Sequence, residues 1–121
     1  MKSARIAVTL LLFAILSVSL HAQADVVHAN PIRLRHLVGT VVDSKGLAIA
    51  YSAIELRDAQ SHQVLATTFA DGNGKFFFAD RKRGDQLELR ISLTGFKSVQ
   101  YTIQIAELGK PHLRAVLPVA N

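Results

Sequence analysis

The residues that could carry out chemistry in this chain are few, and their spacing does not suit catalysis or metal binding. The chain has no cysteine, so thiol nucleophiles, thiolate metal sites and disulfides are all excluded. Asp71, Asn73 and Lys75 occupy alternate positions, but a calcium loop needs about six to eight oxygen ligands, including a downstream acid that is missing here. Because Lys75 also adds a positive charge, we predict a turn without metal.

The histidines are spread along the sequence. Those that follow residue 25 are His28, His36, His62 and His112. No two of them have the close spacing of a metal pair on one strand or helix, and His36 and His112 form the pair most able to converge in space. The sequence also lacks the Gly-x-Ser-x-Gly motif of serine hydrolases. We therefore predict a protein that is not an enzyme and has no catalytic residue, metal or cofactor.

Two other features are candidates for contact with a partner. Arg81-Lys82-Arg83 is the one compact basic run, which is either a solvated turn or a contact for anionic headgroups, lipopolysaccharide, glycans or an acidic protein surface. Phe77 should face away from Phe76 and Phe78, either beneath a loop or in an exposed apolar patch that marks a partner site. We predict partner contacts at Phe77, Arg81, Lys82 and Arg83.

The N-terminal segment has the organisation of a secretory signal peptide. Lys2 and Arg5 precede a continuous apolar stretch, and Ala22-Gln23-Ala24 provides the small residues that a signal peptidase recognises. A membrane-spanning helix needs roughly 20 apolar residues, and this stretch is shorter. We predict a cleaved signal peptide over residues 1–24, a mature protein that is periplasmic or secreted, and no stable membrane anchor after cleavage.

The remaining charge and composition exclude one class of partner and indicate how the domain is held together. The net charge is +5, but part of it belongs to the signal peptide and the other basic residues are scattered between acidic ones. We therefore predict no nucleic-acid binding.

Residues 25–35 contain Asn30-Pro31 and no alternation of apolar residues, which indicates a flexible leader. Without disulfides, the domain must be stabilised by its own core.

From residue 36 onward the sequence alternates between apolar and polar residues with period two, as β-strands do. Gly-containing polar segments interrupt this alternation, and the strongest turn signal is Asp71-Gly72-Asn73-Gly74, which predicts a hairpin. Seven short strands can bury their apolar faces only in two stacked sheets or a barrel. The predicted strands cover residues 39–43, 52–57, 64–70, 76–78, 87–93, 99–105 and 112–117.

Alternation also predicts which side chains face the core. On each strand we assign the more apolar face to the interior. The predicted inward set is Val41, Ile54, Leu56, Leu65, Phe69, Phe76, Phe78, Leu87, Leu89, Ile91, Tyr101, Ile103, Leu113 and Leu117.

The order of these elements resembles the carboxypeptidase regulatory-like domain family. The matching residues are Gly39-x-Val41-x-Asp43, Gly46, Ala53-x-x-Leu56, Ala66-Thr67-Thr68-x-x-Asp71-Gly72-Asn73-Gly74-Lys75-Phe76-x-Phe78, Gly84-Asp85-x-Leu87-x-Leu89 and Gly95-Phe96. The resemblance implies an all-β, seven-stranded Greek-key β-sandwich of the transthyretin-like (prealbumin-like) type over residues 36–118. It also implies a role in folding, docking or binding, with no catalytic residues.

We therefore predict an exported, non-enzymatic accessory domain that mediates protein–protein interaction or structural support in the cell envelope. Its partner would be a separate envelope or secreted protein. The alternative is a carbohydrate-binding module, although the chain has no Trp and only Tyr51 and Tyr101 as tyrosines for stacking on sugars.

Overall fold

The computed structural model describes residues 26–120, and the predicted signal peptide, residues 1–24, lies outside this range. The described residues form strands and loops, and no helix among them is long and apolar enough to cross a membrane. In chain order the strands are β1 (Val26–His28), β2 (Ile32–Leu34), β3 (Val38–Val42), β4 (Ala53–Asp58), β5 (Val64–Phe69), β6 (Lys75–Phe77), β7 (Gln86–Ser92), β8 (Ser98–Ile105) and β9 (Leu113–Val116).

The strands form two sheets with the core between them, as predicted for an all-β sandwich. The larger sheet has the order β1-β8-β7-β4-β5, with β2 also paired to β8, and the smaller sheet has the order β6-β3-β9. The side chains that lie between the sheets are predominantly branched aliphatic residues and phenylalanines. The fully buried ones include Leu34, Leu37, Val41, Ile54, Leu56, Leu89, Ile91, Ile103, Leu113 and Leu117.

The seven predicted strands correspond to β3–β9, and the two additional strands lie in the segment predicted to be a flexible leader. That prediction is wrong for Val26–His28 and Ile32–Leu34, which both pair in parallel with β8. Leu34 is completely buried, and Ile32 packs against the core. Each strand has only three residues, too few to show alternation, and their pairing partner is distant in sequence.

On β5 the assignment of the inward face is also wrong. Ile54 and Leu56 of β4 point into the core, and they lie opposite Thr68 and Ala66 of β5. Since directly opposite residues share a face of the sheet, Thr68 and Ala66 face inward. The predicted core residues Leu65 and Phe69 therefore face solvent and are 40 % and 71 % exposed.

The turn Asp71-Gly72-Asn73-Gly74 connects the two sheets and does not form the predicted hairpin, because β5 pairs with β4 whereas β6 pairs with β3. Gly74 has φ of +77°, and a Cβ at this position would lie 2.6 Å from the carbonyl oxygen of Val41. This glycine is thus required both for its backbone conformation and for the close approach of the turn to β3.

Candidate functional site

The open side of the larger sheet is formed by β5, which pairs with no described strand other than β4. The amide of Ala70 donates to the carbonyl oxygen of Ser52 at 2.9 Å, which sets the hydrogen-bond phase of the β4–β5 ladder. Because hydrogen-bonded and non-hydrogen-bonded pairs alternate in an antiparallel ladder, the N–H and C=O groups of Thr67 and Phe69 point away from β4. They face the open edge, where another strand can pair with them.

Apolar side chains accompany these backbone groups. On β5, Val64 is 49 % exposed, and Leu65 and Phe69 also face solvent. The neighbouring edge strand β6 belongs to the smaller sheet, contacts β5, and carries Phe77 with 74 % of its surface exposed. We refer to Val64–Phe69 together with Phe77 as the β5–β6 edge. Of the two predicted environments for Phe77, the structure shows the exposed one.

One end of this edge is fixed by the turn between β5 and β6. A side-chain oxygen of Asp71 accepts hydrogen bonds from the amides of Asn73 at 2.8 Å and Lys75 at 3.0 Å. The hydrogen bond from the Lys75 amide, followed by that from Asn73, lowers the pKa of the Asp71 carboxyl below its ordinary value of 3.8. The carboxylate is thus used to hold the turn, and exposed Tyr51 lies beside Gly72.

The predicted basic run lies at a different place. Lys82 and Arg83 are exposed and Arg81 is partly buried. A cleft of about 270 Å³ is lined by Arg81 and Arg83, and also by Arg35 and His36. Phe77 is not among its lining residues, so the four predicted contact residues belong to two separate surfaces.

This basic cleft also contains acidic groups. Arg83 pairs with Glu107 at 3.0 Å, and His36 bonds Asp80 at 3.0 Å. Such exposed pairs contribute little to stability, but they offset much of the positive charge of the run. The basic turn is therefore a weaker candidate for partner binding than the apolar edge.

The histidines that were the best candidates for a metal pair have separate partners. His36 bonds Asp80, whereas Nε2 of His112 lies 2.8 Å from the hydroxyl of Thr40. Within residues 26–120, no group of three or more His, Asp or Glu side chains is arranged to hold a metal ion.

A further polar cluster on the outer face of the larger sheet was not predicted. Glu88 alternates with the core residues Leu87 and Leu89 and lies on the outer face of the sheet, yet it is only 7 % exposed. His62 Nδ1 lies 2.6 Å from Glu88 Oε1, and Gln100 donates to Glu88 Oε2 at 2.8 Å. Burial of Glu88 depends on partners from a turn and from β8, which alternation within β7 does not reveal.

The turn that carries His62 is fixed by Asp58. Its carboxylate accepts hydrogen bonds from the amide and hydroxyl of Ser61 and from the amide of Gln60. The hydrogen bond from the Ser61 amide, followed by that from the Ser61 hydroxyl, lowers the pKa of the Asp58 carboxyl below its ordinary value of 3.8. His62 itself has a positive φ of 59°, a conformation uncommon outside glycine, and this directs its ring to Glu88.

Fold and surfaces together define a two-sheet β domain with an open apolar edge. Residues 36–118 match the family model of the carboxypeptidase regulatory-like domain. The chain belongs to this family, whose members are β-sandwiches and, as domains, non-catalytic. The resemblance inferred from the sequence is thereby confirmed.

Comparison with solved structures finds similarity to 3-chlorocatechol 1,2-dioxygenase from Rhodococcus opacus 1CP. The TM-score is 0.50 at 12 % sequence identity, and the match covers 81 % of this chain. This chain spans 62 % of the length of the dioxygenase chain. At this identity the similarity concerns the fold alone. Comparison with curated proteins gives no match.

Proposed function

We propose that this protein is an exported, non-catalytic accessory domain that binds a separate protein in the cell envelope. An extended segment of the partner adds to β5 as a further strand. The observation that carries this proposal is the combination, on one strand, of outward N–H and C=O groups at Thr67 and Phe69 with exposed apolar side chains at Leu65 and Phe69.

Strand addition uses both features of this edge. Main-chain hydrogen bonds to the free groups of β5 supply affinity, and alternate side chains of the added strand supply specificity. An apolar partner segment would cover the exposed side chains of Leu65 and Phe69. Soluble domains rarely leave a large apolar patch in contact with water, and such a patch marks an interaction site. Phe77 lies on the neighbouring edge strand β6, on the outer face of the smaller sheet, so it is a separate exposed apolar contact.

The experiment that tests the docking mode uses a photo-crosslinking residue at position 65 in the native envelope, combined with two substitutions. Thr67→Pro removes an N–H that points to the open edge, and it leaves the hydrogen bonds to β4 in place. Phe69→Ser removes the largest exposed apolar side chain of β5. The matched control is Leu108→Ser, because Leu108 is 98 % exposed in a loop outside the edge.

We expect one discrete crosslinked protein, captured by the wild-type and Leu108→Ser domains and lost with Thr67→Pro and Phe69→Ser. Thermal unfolding of each variant establishes that it is folded. Capture that survives Thr67→Pro in a folded domain would exclude strand addition at β5. Absence of any discrete crosslinked protein would contradict the accessory role itself.

Export is tested separately. The signal peptide proposed for residues 1–24 predicts that the protein recovered from cells begins at Asp25. Mass spectrometry of the protein in the periplasmic and extracellular fractions gives the N-terminus and the compartment together. Recovery of the uncleaved chain in the cytoplasm would contradict the proposal.

Carbohydrate binding remains the alternative function, and Tyr51 is the residue that would serve it. Tyr51 is 67 % exposed, whereas Tyr101 is partly buried and its hydroxyl accepts a hydrogen bond from the amide of Val116 at 3.1 Å. Retention on a glycan array that is lost on Tyr51→Ala would favour this alternative over protein docking.

A further inference from the structure

The outer face of the larger sheet contains a cleft that shares no lining residue with the β5–β6 edge. Its volume is about 430 Å³, within the range of roughly 300 to 1,000 Å³ that is usual for small-molecule sites. The polar side chains that line it are His28, Arg57, His62, Glu88, Arg90 and Gln100.

Hydrogen-bond acceptors in this cleft are already occupied by the protein. Each carboxylate oxygen of Glu88 has a partner, one in His62 and the other in Gln100. The side-chain oxygen of Gln100 accepts two bonds from Arg90, from Nε at 3.2 Å and from Nη2 at 2.8 Å. A ligand that approaches this network therefore meets few free acceptors.

Donors, in contrast, are left available. Nη1 of Arg90 and both terminal nitrogens of Arg57 make no hydrogen bond with residues 26–120, although Nε of Arg57 pairs with Glu55. Arg57 of β4 lies opposite Glu88 of β7, and Arg90 is two residues further along β7. The two arginines are therefore diagonal neighbours on one face of the sheet, and both line the cleft. The ring of His28 adds a third group without a partner in the described part of the chain.

We propose that this cleft binds the carboxylate group of a small molecule between Arg57 and Arg90. Guanidinium groups bind carboxylates through paired, charge-assisted hydrogen bonds. The carboxylates beside the two guanidinium groups are already engaged. Glu88 is buried and bonded on both oxygens, and Glu55, which lies opposite Arg90, pairs with Nε of Arg57. The charges of these groups balance, and it is the free, charged guanidinium donors that favour an anionic acceptor over a neutral one.

A carboxylate of this kind is carried either by an acidic sugar or by an aliphatic acid. Three probes separate these sources in an NMR titration of the purified protein. Glucuronate is an acidic sugar, glucose is its neutral counterpart, and succinate is an aliphatic acid. The signals to follow are the side-chain NH₂ group of Gln100 and the Nε–H groups of Arg57 and Arg90.

We expect saturable shifts of these signals with glucuronate and none with glucose. A response to glucuronate without one to succinate identifies the source as an acidic sugar, and a response to both shows that the carboxylate alone is recognised. An equal response to glucose, or no saturable response to either acid, would overturn the proposal.

Two substitutions identify the binding groups. Arg57→Gln and Arg90→Gln should each weaken carboxylate binding by at least about tenfold through loss of a charged donor pair. Arg90→Gln also breaks the contact with Gln100. If that variant does not fold, Arg57→Gln is the variant that tests the proposal. Arg114→Gln on β9 of the other sheet is the control and should bind as the wild type does. Undiminished binding by folded Arg57→Gln would refute the assignment.

Discussion

Phe69 lies directly opposite Ala53 in the β4–β5 ladder, on the face of the larger sheet that is turned away from the core. This is the reverse of what the apolar character of Phe69 predicts. The face that β5 presents follows from its register with β4, because Thr68 and Ala66 lie opposite the core residues Ile54 and Leu56 and therefore face inward, which leaves Phe69 on the outer face. An apolar side chain is thus held in water by the packing of its neighbours.

The position of Phe69 leads to a contrast in stability between two phenylalanines. Phe69→Ser should change the free energy of unfolding by no more than about 0.5 kcal/mol, as is usual at an exposed site. Phe76 is 4 % exposed, so Phe76→Ala should destabilise the domain by about 3–5 kcal/mol. Urea denaturation of the two variants measures both. A large loss of stability in Phe69→Ser would show that this ring is buried in solution.

Gly39 and Phe76 pair across β3 and β6, and a Cβ on Gly39 would lie 2.5 Å from Cζ of Phe76. Movement of the ring would not relieve the crowding, because the backbone carbonyl oxygen of Leu113 is also only 2.8 Å from the same Cβ position. Gly39→Ala should therefore cost about 1–3 kcal/mol through overpacking.

Gly72→Ala provides the matched control for Gly39→Ala. A Cβ at Gly72 would meet only the end of the exposed Tyr51 side chain, at 3.3 Å. Its effect on stability should be within about 0.5 kcal/mol. Equal effects of the two substitutions in urea denaturation would contradict the close packing of Phe76 on β3.

The hydrogen-bonded carboxylate of Asp71 makes the stability of the folded domain depend on pH. Its pKa in the folded state is below the ordinary value of 3.8, so the folded state favours the ionised form. The stabilisation is present above pH 3.8 and is lost as the pH falls through the lowered pKa.

Asp71→Asn is the test of this dependence. The variant should have a lower urea midpoint than the wild type at neutral pH, and the difference should shrink in acid because Asn does not titrate. A difference that stays constant with pH would contradict the role of the ionised carboxylate in holding the turn.

The strand β2 should contribute to stability although no strand was predicted there. Leu34 is completely buried against the core, so Leu34→Ala should destabilise the domain by about 2–5 kcal/mol. The neighbouring Arg33→Ala is the control, since Arg33 is exposed and its loss should have little effect. Equal stability of both variants in urea denaturation would show that this segment is not docked on β8.

The sequence is sufficient to predict which residues are buried where a strand is long and has one buried face. Along β7, alternation correctly predicts that Leu87, Leu89 and Ile91 are buried, because their burial depends on the periodicity of a single strand. The same reasoning correctly directs Phe77 away from the core. The two-sheet fold follows from seven such patterns and from the turns between them.

Prediction fails where a residue's environment is set by a distant partner. The outward face of β5 is decided by its register with β4, and the strands in residues 26–34 form only because β8 offers them an edge. The burial of Glu88 likewise requires His62 and Gln100, which are remote in sequence. Pairing of this kind leaves no local periodic signal.

The central claim, that a partner segment pairs with β5, is tested most directly by amide hydrogen exchange in the complex of the domain with its captured partner. The amides of Thr67 and Phe69 point to the open edge, whereas the amide of Thr68 faces β4. Strand addition predicts that the amides of Thr67 and Phe69 exchange much more slowly in the complex than in the free domain, while the already protected amide of Thr68 changes little. Unchanged exchange at Thr67 and Phe69 in the complex would contradict it.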